Sequence, residues 1–174
     1  TLAGLSEKAT ADADGNWQLD LGALPAGGPH VLNLLDASGL KQTVSDVLIG
    51  DVWLCSGQSN MEVAVGDVNL SHAEPPRTPG TIRLMNVPQD SRVVAQTDFA
   101  SAPGWLVADA GSIRSFSALC YLLANELKKT NDIPFGLIKA AWGGAGIKTW
   151  IGAAELQRTG NYDQQLAWLH AYAG

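Results

Sequence analysis

The pattern of apolar and polar positions changes texture once along the chain, at Gly50. Before it, short apolar stretches are separated by turn signals. Asp12-Ala13-Asp14-Gly15 carries an Asp-Gly turn, Trp17-Gln18-Leu19 alternates, Leu24 to Pro29 is a Pro/Gly-rich breaker, and Val31 to Leu35 is apolar. Asp36-Ala37-Ser38-Gly39 turns the chain again, ahead of a strand expected over Gln42 to Ile49. This reads as about four antiparallel strands over residues 1–48, part of a β-sandwich-like module and too few to close one.

After Gly50, Val52-Trp53-Leu54-Cys55 is an unbroken apolar run, the pattern of a strand buried on both faces of a parallel sheet. Similar runs follow at Ile82 to Val87 and at Phe135 to Trp142. Between these two, Phe116, Leu119, Cys120, Leu122, Leu123, Glu126 and Leu127 recur at helical spacing, with Ser115 as N-cap and Lys128-Lys129 near the C-terminal end. Strand, helix, strand implies a crossover between parallel strands, and so an α/β domain over residues 49–174. Gly66 to Ala110 reads as long loops around the Ile82 strand, of the kind that build sites. Residues 152–159 and 162–172 read as helices.

Composition then removes several classes. A chain of 174 residues that is 46% hydrophobic can bury a sizeable core, which excludes general disorder. With a net charge of -6 and scattered Lys and Arg, it has no basic stripe for a run of phosphates, so nucleic acid is not an expected partner. No apolar run approaches the ~20 residues of a bilayer span, so no membrane span is expected. Cys55 and Cys120 lie in apolar stretches and read as small core hydrophobes. They do not decide the redox compartment. Together with three dispersed histidines they offer no metal cluster.

Two segments can carry chemistry. Leu54-Cys55-Ser56-Gly57-Gln58-Ser59-Asn60-Met61 is a small polar loop directly after a buried strand, where ligands of open α/β sheets bind. Ser59 can present its hydroxyl there, and the Ser59 and Asn60 amides can face a developing oxyanion. From texture alone the loop is as simply a connecting turn, because a serine needs a base to become nucleophilic. Ile138 to Gly146 is a second strand running into glycines, whose backbone N–H groups can also serve as oxyanion donors. A phosphate cradle is excluded, since Ile147 stands between Gly146 and Lys148.

Together these segments resemble the sialate O-acetylesterase family of SGNH hydrolases and related carbohydrate acetylesterases. Gly50-Asp51-Val52-Trp53-Leu54-Cys55-Ser56-Gly57-Gln58-Ser59-Asn60-Met61-Glu62 is similar to the family's first block over its whole length. Phe116-Ser117-Ala118 and Ile133-Pro134-Phe135-Gly136-Leu137-Ile138 resemble its helix start and following strand. Gly15-Asn16-Trp17 and Ala26-Gly27-Gly28-Pro29-His30 resemble strands of its β-module. The resemblance implies a flavodoxin-like, three-layer α/β/α fold with a parallel sheet. It implies Ser59 as nucleophile, the Ser59 and Gly144 amides as oxyanion hole, and Gln58, Asn60, Trp142 and Gly143 against substrate. The implied reaction removes O-acetyl groups from sialic acids or acetylated polysaccharides, with no metal or organic cofactor, in a secreted or periplasmic protein.

The sequence departs from the family at two places. The second block ordinarily reads Gly-Gly-Thr and then Ile-Glu-Ala-Trp, whereas Gly143-Gly144-Ala145-Gly146-Ile147-Lys148-Thr149-Trp150 lacks the Thr and the Glu. Backbone donation from Gly144 survives that change; a hydroxyl contact at position 145 does not. The third block's Asn and the Asp-x-x-His base pair are absent: three residues before His30, His72 and His170 stand Gly27, Asn69 and Ala167. The chain therefore reads as the N-terminal portion of such an enzyme, completed by a second chain or a C-terminal remainder. A carbohydrate-binding or structural remnant, and a lipase or thioesterase, are the alternative readings. His30 reads as a surface or strand-edge residue, His72 as a solvated loop residue and His170 as a helix residue. Asp51 reads as a local cap; Glu62, Asp67 and Asp109 are minor candidates for substrate contact. Trp53, Trp142 and Trp150 lie beside the proposed site, where an indole can stack on a sugar ring, and Trp17, Trp105 and Trp168 read as core.

Overall fold

Turn chemistry shapes the first third of the molecule, which in a computed structural model is described over residues 1–68, 80–92 and 94–172. Asp12 holds the first turn, its carboxylate accepting the Asp14 and Asn16 N–H groups, and Asp36 does the same for Ser38 and Leu40. The Asp36 turn joins β1 (Gly27–Leu35) to β2 (Lys41–Ile49), an antiparallel pair. Trp17-Gln18-Leu19 forms no strand and Trp17 is half exposed. Three alternating residues offer little apolar face, and no strand among the described residues pairs with them. The sheet of this region thus has two strands where about four were expected.

The second sheet follows directly. Its order is β3 (Asp51–Gly57), β6 (Phe135–Ala141), β4 (Ile82–Asn86), β5 (Leu106–Val107). β3 and β4 both run parallel to β6, while β5 is antiparallel, so the sheet is mixed and the fold is α/β. The strand–helix–strand reading is met, since β4 and β6 are parallel neighbours with α2 (Ala118–Lys128) between them in sequence. α3 (Ala153–Thr159) and α4 (Asp163–Tyr172) form where helices were expected.

One face of this sheet carries the core. Ile82, Leu84, Phe135 and Leu137 pack with Phe116, Cys120, Tyr121 and Ala124. The Val52-to-Cys55 run is not buried on both faces: β3 is an edge strand, Val52 is 62% and Leu54 67% exposed, and Cys55 alone turns into the core. The helix also differs from its sequence reading. Ser117, not Ser115, is the N-cap, its hydroxyl accepting the Cys120 N–H at 3.2 Å, while Ser115 ends a preceding 3-10 turn. Small residues and Tyr121 face the sheet, and Leu119 and Leu123 are exposed. Ala118, Cys120 and Ala124 let the helix approach closely, which larger side chains would prevent.

Cys55 and Cys120 are not free thiols but a disulfide, with their Cα atoms 5.9 Å apart, joining β3 to α2. The correction follows from geometry: both side chains point into the same narrow gap between sheet and helix. Trp105 and Trp168, read as core, are exposed, because Trp105 flanks the short edge strand β5 and Trp168 lies on the outer side of α4.

Two contacts mark the amino ends of the strands. The Arg83 guanidinium on β4 donates twice to the Asp46 carboxylate on β2, both at 2.7 Å, across a cavity of about 500 Å³ also lined by Val52 and Trp105. Gly50, just before β3, lies so close to Pro134 that a Cβ there would overlap the Pro134 carbonyl oxygen, and that same oxygen accepts the Asp51 N–H at 3.1 Å.

Candidate active site

The parallel ladder brings the carboxyl ends of β3 and β6 together in register, from Asp51 opposite Phe135 to Gly57 opposite Ala141. One further bond, from the Trp142 N–H to the Gly57 carbonyl at 3.0 Å, carries the pairing into both loops. The chain then enters α1 (Ser59–Glu62), a single turn in which the Gln58 carbonyl accepts the Met61 and Glu62 N–H groups, both at 2.9 Å. Ser59 opens this turn, exposed, and neither its hydroxyl nor its amide has a hydrogen-bond partner among the described residues. Gln58 and Asn60 flank it, their side chains also exposed.

Opposite lies a four-residue turn, Trp142 to Ala145, closed by the Ala145 N–H on the Trp142 carbonyl at 3.1 Å. Gly144 occupies its third position with φ +80, which a Cβ would strain. The Gly144 N–H has no partner among the described residues. Gly143 sits against the serine turn, since a Cβ built on it would lie 3.9 Å from the Ser59 Cα. Ser59, Gln58, Asn60, Trp142, Gly143 and Gly144 therefore meet at one end of the sheet.

Other residues singled out in the sequence lie elsewhere. Trp53 is mid-strand opposite Leu137, and Trp150 ends the 3-10 turn Ile147–Trp150. Asp51 begins β3 at the far end, and Asp67 closes a 3-10 turn after the serine loop. Asp109 builds a turn: its carboxylate accepts the Ser112 and Gly111 N–H groups at 2.8 and 2.9 Å, and these bonds hold its pKa below the ordinary carboxylate value. His30 is half buried on β1 with Nε2 unpartnered, His170 is on α4, and His72 lies outside the described residues.

Glu62, read as a minor candidate, is central to the arrangement. Its Oε2 accepts the Gly143 N–H at 2.6 Å and its Oε1 accepts from Gln89 Nε2, which also donates to the Ala141 carbonyl at 3.2 Å. Gln89 follows β4 in a stretch of irregular sequence with no periodicity, and nothing in the sequence marks it. No group of His, Cys, Asp and Glu among the described residues can hold a metal ion.

Residues 49–172 match the family model for carbohydrate esterases described as sialic acid-specific acetylesterase. The chain belongs to this family. It is 32% identical over 158 residues to sialate O-acetylesterase of Rattus norvegicus, and 32% identical over 166 residues to the human protein of the same name. Those alignments cover 83% and 89% of this chain and 29% and 31% of the relatives, so the chain spans under a third of their length. In structure it is similar to a novel carbohydrate acetylesterase from Xanthomonas citri, with a TM-score of 0.82 and 33% identity, covering 90% of this chain and 36% of that one.

Proposed function

We propose that this sialic acid-specific acetylesterase family member is the nucleophile-bearing part of a serine carbohydrate O-acetylesterase with the three-layer layout of SGNH hydrolases, its β-module over residues 1–48 and its hydrolase portion from residue 49. Ser59 attacks the acetyl carbonyl; its proton passes to a histidine, that histidine is held by an aspartate, and the leaving sugar hydroxyl takes the proton. The Ser59 and Gly144 amides stabilise the tetrahedral oxyanion, and water then frees acetate from the acetyl-enzyme. Gln58, Asn60, Trp142 and Gly143 line the acetylated sugar. The observation that carries the reading is the meeting, at the carboxyl ends of two parallel strands, of an exposed Ser59 with two amides that have no partner among the described residues.

The base and its aspartate are assigned to residues other than these 174, in the same polypeptide or a second chain, because no Asp-x-x-His occurs here. We place the protein outside the cytosol, secreted or periplasmic; the Cys55–Cys120 disulfide supports that placement, since such bonds persist in oxidising compartments. No helix among the described residues is long and apolar enough to cross a membrane.

Turnover of 4-nitrophenyl acetate and of an acetylated sugar by the full-length protein tests the reading. Ser59→Ala is expected to lower kcat by on the order of 10³-fold or more, by analogy with triad knockouts. Ser56→Ala, three residues earlier in the same loop, is expected to leave the rate nearly intact. A Ser59→Ala variant that is folded by circular dichroism and keeps near wild-type rates rules out the nucleophile.

A further inference from the structure

We infer that Glu62 is the positioning residue of the oxyanion loop, an inference that rests on Ser59 as nucleophile and Gly144 as donor. The observation is that one carboxylate joins three segments: α1, the turn after β6 and the stretch after β4. It comes from the same single turn as Ser59, three residues on, so both side chains rise from one short element. Its Oε2 takes the Gly143 N–H at 2.6 Å, and an ionised carboxylate acceptor makes this bond charge-assisted. Its Oε1 takes Gln89 Nε2.

Fixing the Gly143 N–H fixes the plane of the peptide before Gly143. The next peptide carries the Gly144 N–H, and in a turn with φ +80 at Gly144 that plane is the one free to flip. With Gly143 anchored and Ala145 bonded back to Trp142, both ends of the flipping unit are held, and the Gly144 amide keeps one direction. The fit is close: a Cβ on Gly143 would lie 2.5 Å from Glu62 Oε2, so glycine leaves room for the carboxylate.

The chemistry requires a carboxylate specifically. Both partners of Glu62 are donors, and only a group that accepts at both oxygens satisfies them together. Glutamine has the same shape and one acceptor, so Glu62→Gln sets an N–H against either the Gly143 N–H or the Gln89 amide and releases one tether. A negative charge beside a developing oxyanion is otherwise unfavourable; spending it on two N–H donors is what makes it tolerable there.

The experiment measures kcat and KM of the full-length protein on 4-nitrophenyl acetate for wild type, Ser59→Ala, Glu62→Gln and Gln89→Leu, each checked by circular dichroism. Glu62→Gln is expected to lower kcat by about tenfold or more at nearly unchanged KM, short of the loss from deleting an oxyanion donor outright. A folded Glu62→Gln with kcat within about threefold of wild type, or with its loss entirely in KM, overturns the assignment. If Glu62→Gln does not fold, Gln89→Leu decides: this exposed side chain gives up one tether and leaves the Glu62–Gly143 bond in place. A kcat lower by about threefold or more at constant KM then supports the inference, and a smaller change overturns it. Ser59→Ala separates the two levels of the argument. Activity surviving in it removes the nucleophile reading itself, whereas an inactive Ser59→Ala beside a fully active Glu62→Gln removes only the role of Glu62.

Discussion

At the scale of single residues, neighbouring glycines of the loop after β6 differ in how tightly the backbone constrains the amino acid. Gly144, at φ +80, holds a conformation that costs an L-residue about 1–2 kcal/mol, whereas Gly146, at φ -75 with open space around its Cα, holds an ordinary one. Gly144→Ala is therefore expected to lower thermal stability by roughly that amount and, through a tilted amide, to reduce kcat by about tenfold or more, with Gly146→Ala as a near-neutral control. Differential scanning fluorimetry alongside esterase kinetics reads both effects. The positions of Ser59 and Gly144 at the carboxyl end of the sheet were legible in the sequence, because each follows an apolar strand. Gln89 was not, because its role is set by the distance between segments far apart in the chain, and its neighbours Val87, Pro88 and Asp90 have no pattern that marks a contact. Glu62 was visible in the block that carries Ser59, yet its bonds to Gly143 and Gln89 depend on the folding of both loops.

At the scale of elements, the sequence located α2 but not which of its positions face in. Of the residues at helical spacing, Cys120 and Leu127 meet the core while Leu119 and Leu123 are exposed, and the structure also buries Ala118, Tyr121 and Ala124. The decisive term is close approach between helix and sheet, a tertiary property that a single helix's pattern does not encode. The disulfide belongs to the same gap, and it ties to α2 an edge strand with strand pairing on one side only. Its sequence separation of 65 corresponds to a chain-entropy stabilisation of about 4 kcal/mol. Urea unfolding with and without a reductant is expected to show a loss approaching that figure. Because Cys55 lies four residues before Ser59, reduction is also expected to lower kcat before the global transition is reached. Equal midpoints in the two conditions would show that helix packing alone holds β3.

At the scale of the whole molecule, an α/β sheet was readable from three apolar strands and one helix. The mixed direction of the sheet was not, since β5 is two residues long and pairs only through Arg83 and Leu84. The face turned away from the core bears Val52 and Leu54, both exposed among the described residues, although the run reads as doubly buried. The parallel ladder also has a consequence at its other pole. β3 and β6 keep one unbroken alignment from Asp51 to Gly57, and its starting point is the place where Gly50 passes beneath the Pro134 carbonyl with room for a hydrogen and nothing larger. A methyl there has to push one strand along or away from the other, at a cost of about 1–3 kcal/mol. The displacement travels the length of a seven-residue strand, roughly 20 Å, and arrives at Ser59 and Gly144. Gly50→Ala is therefore expected to depress kcat in protein that remains folded, a result that paired melting curves and kinetics would register. On this expectation, the direction in which Ser59 faces depends on Gly50 carrying a hydrogen alone, at the opposite end of the sheet.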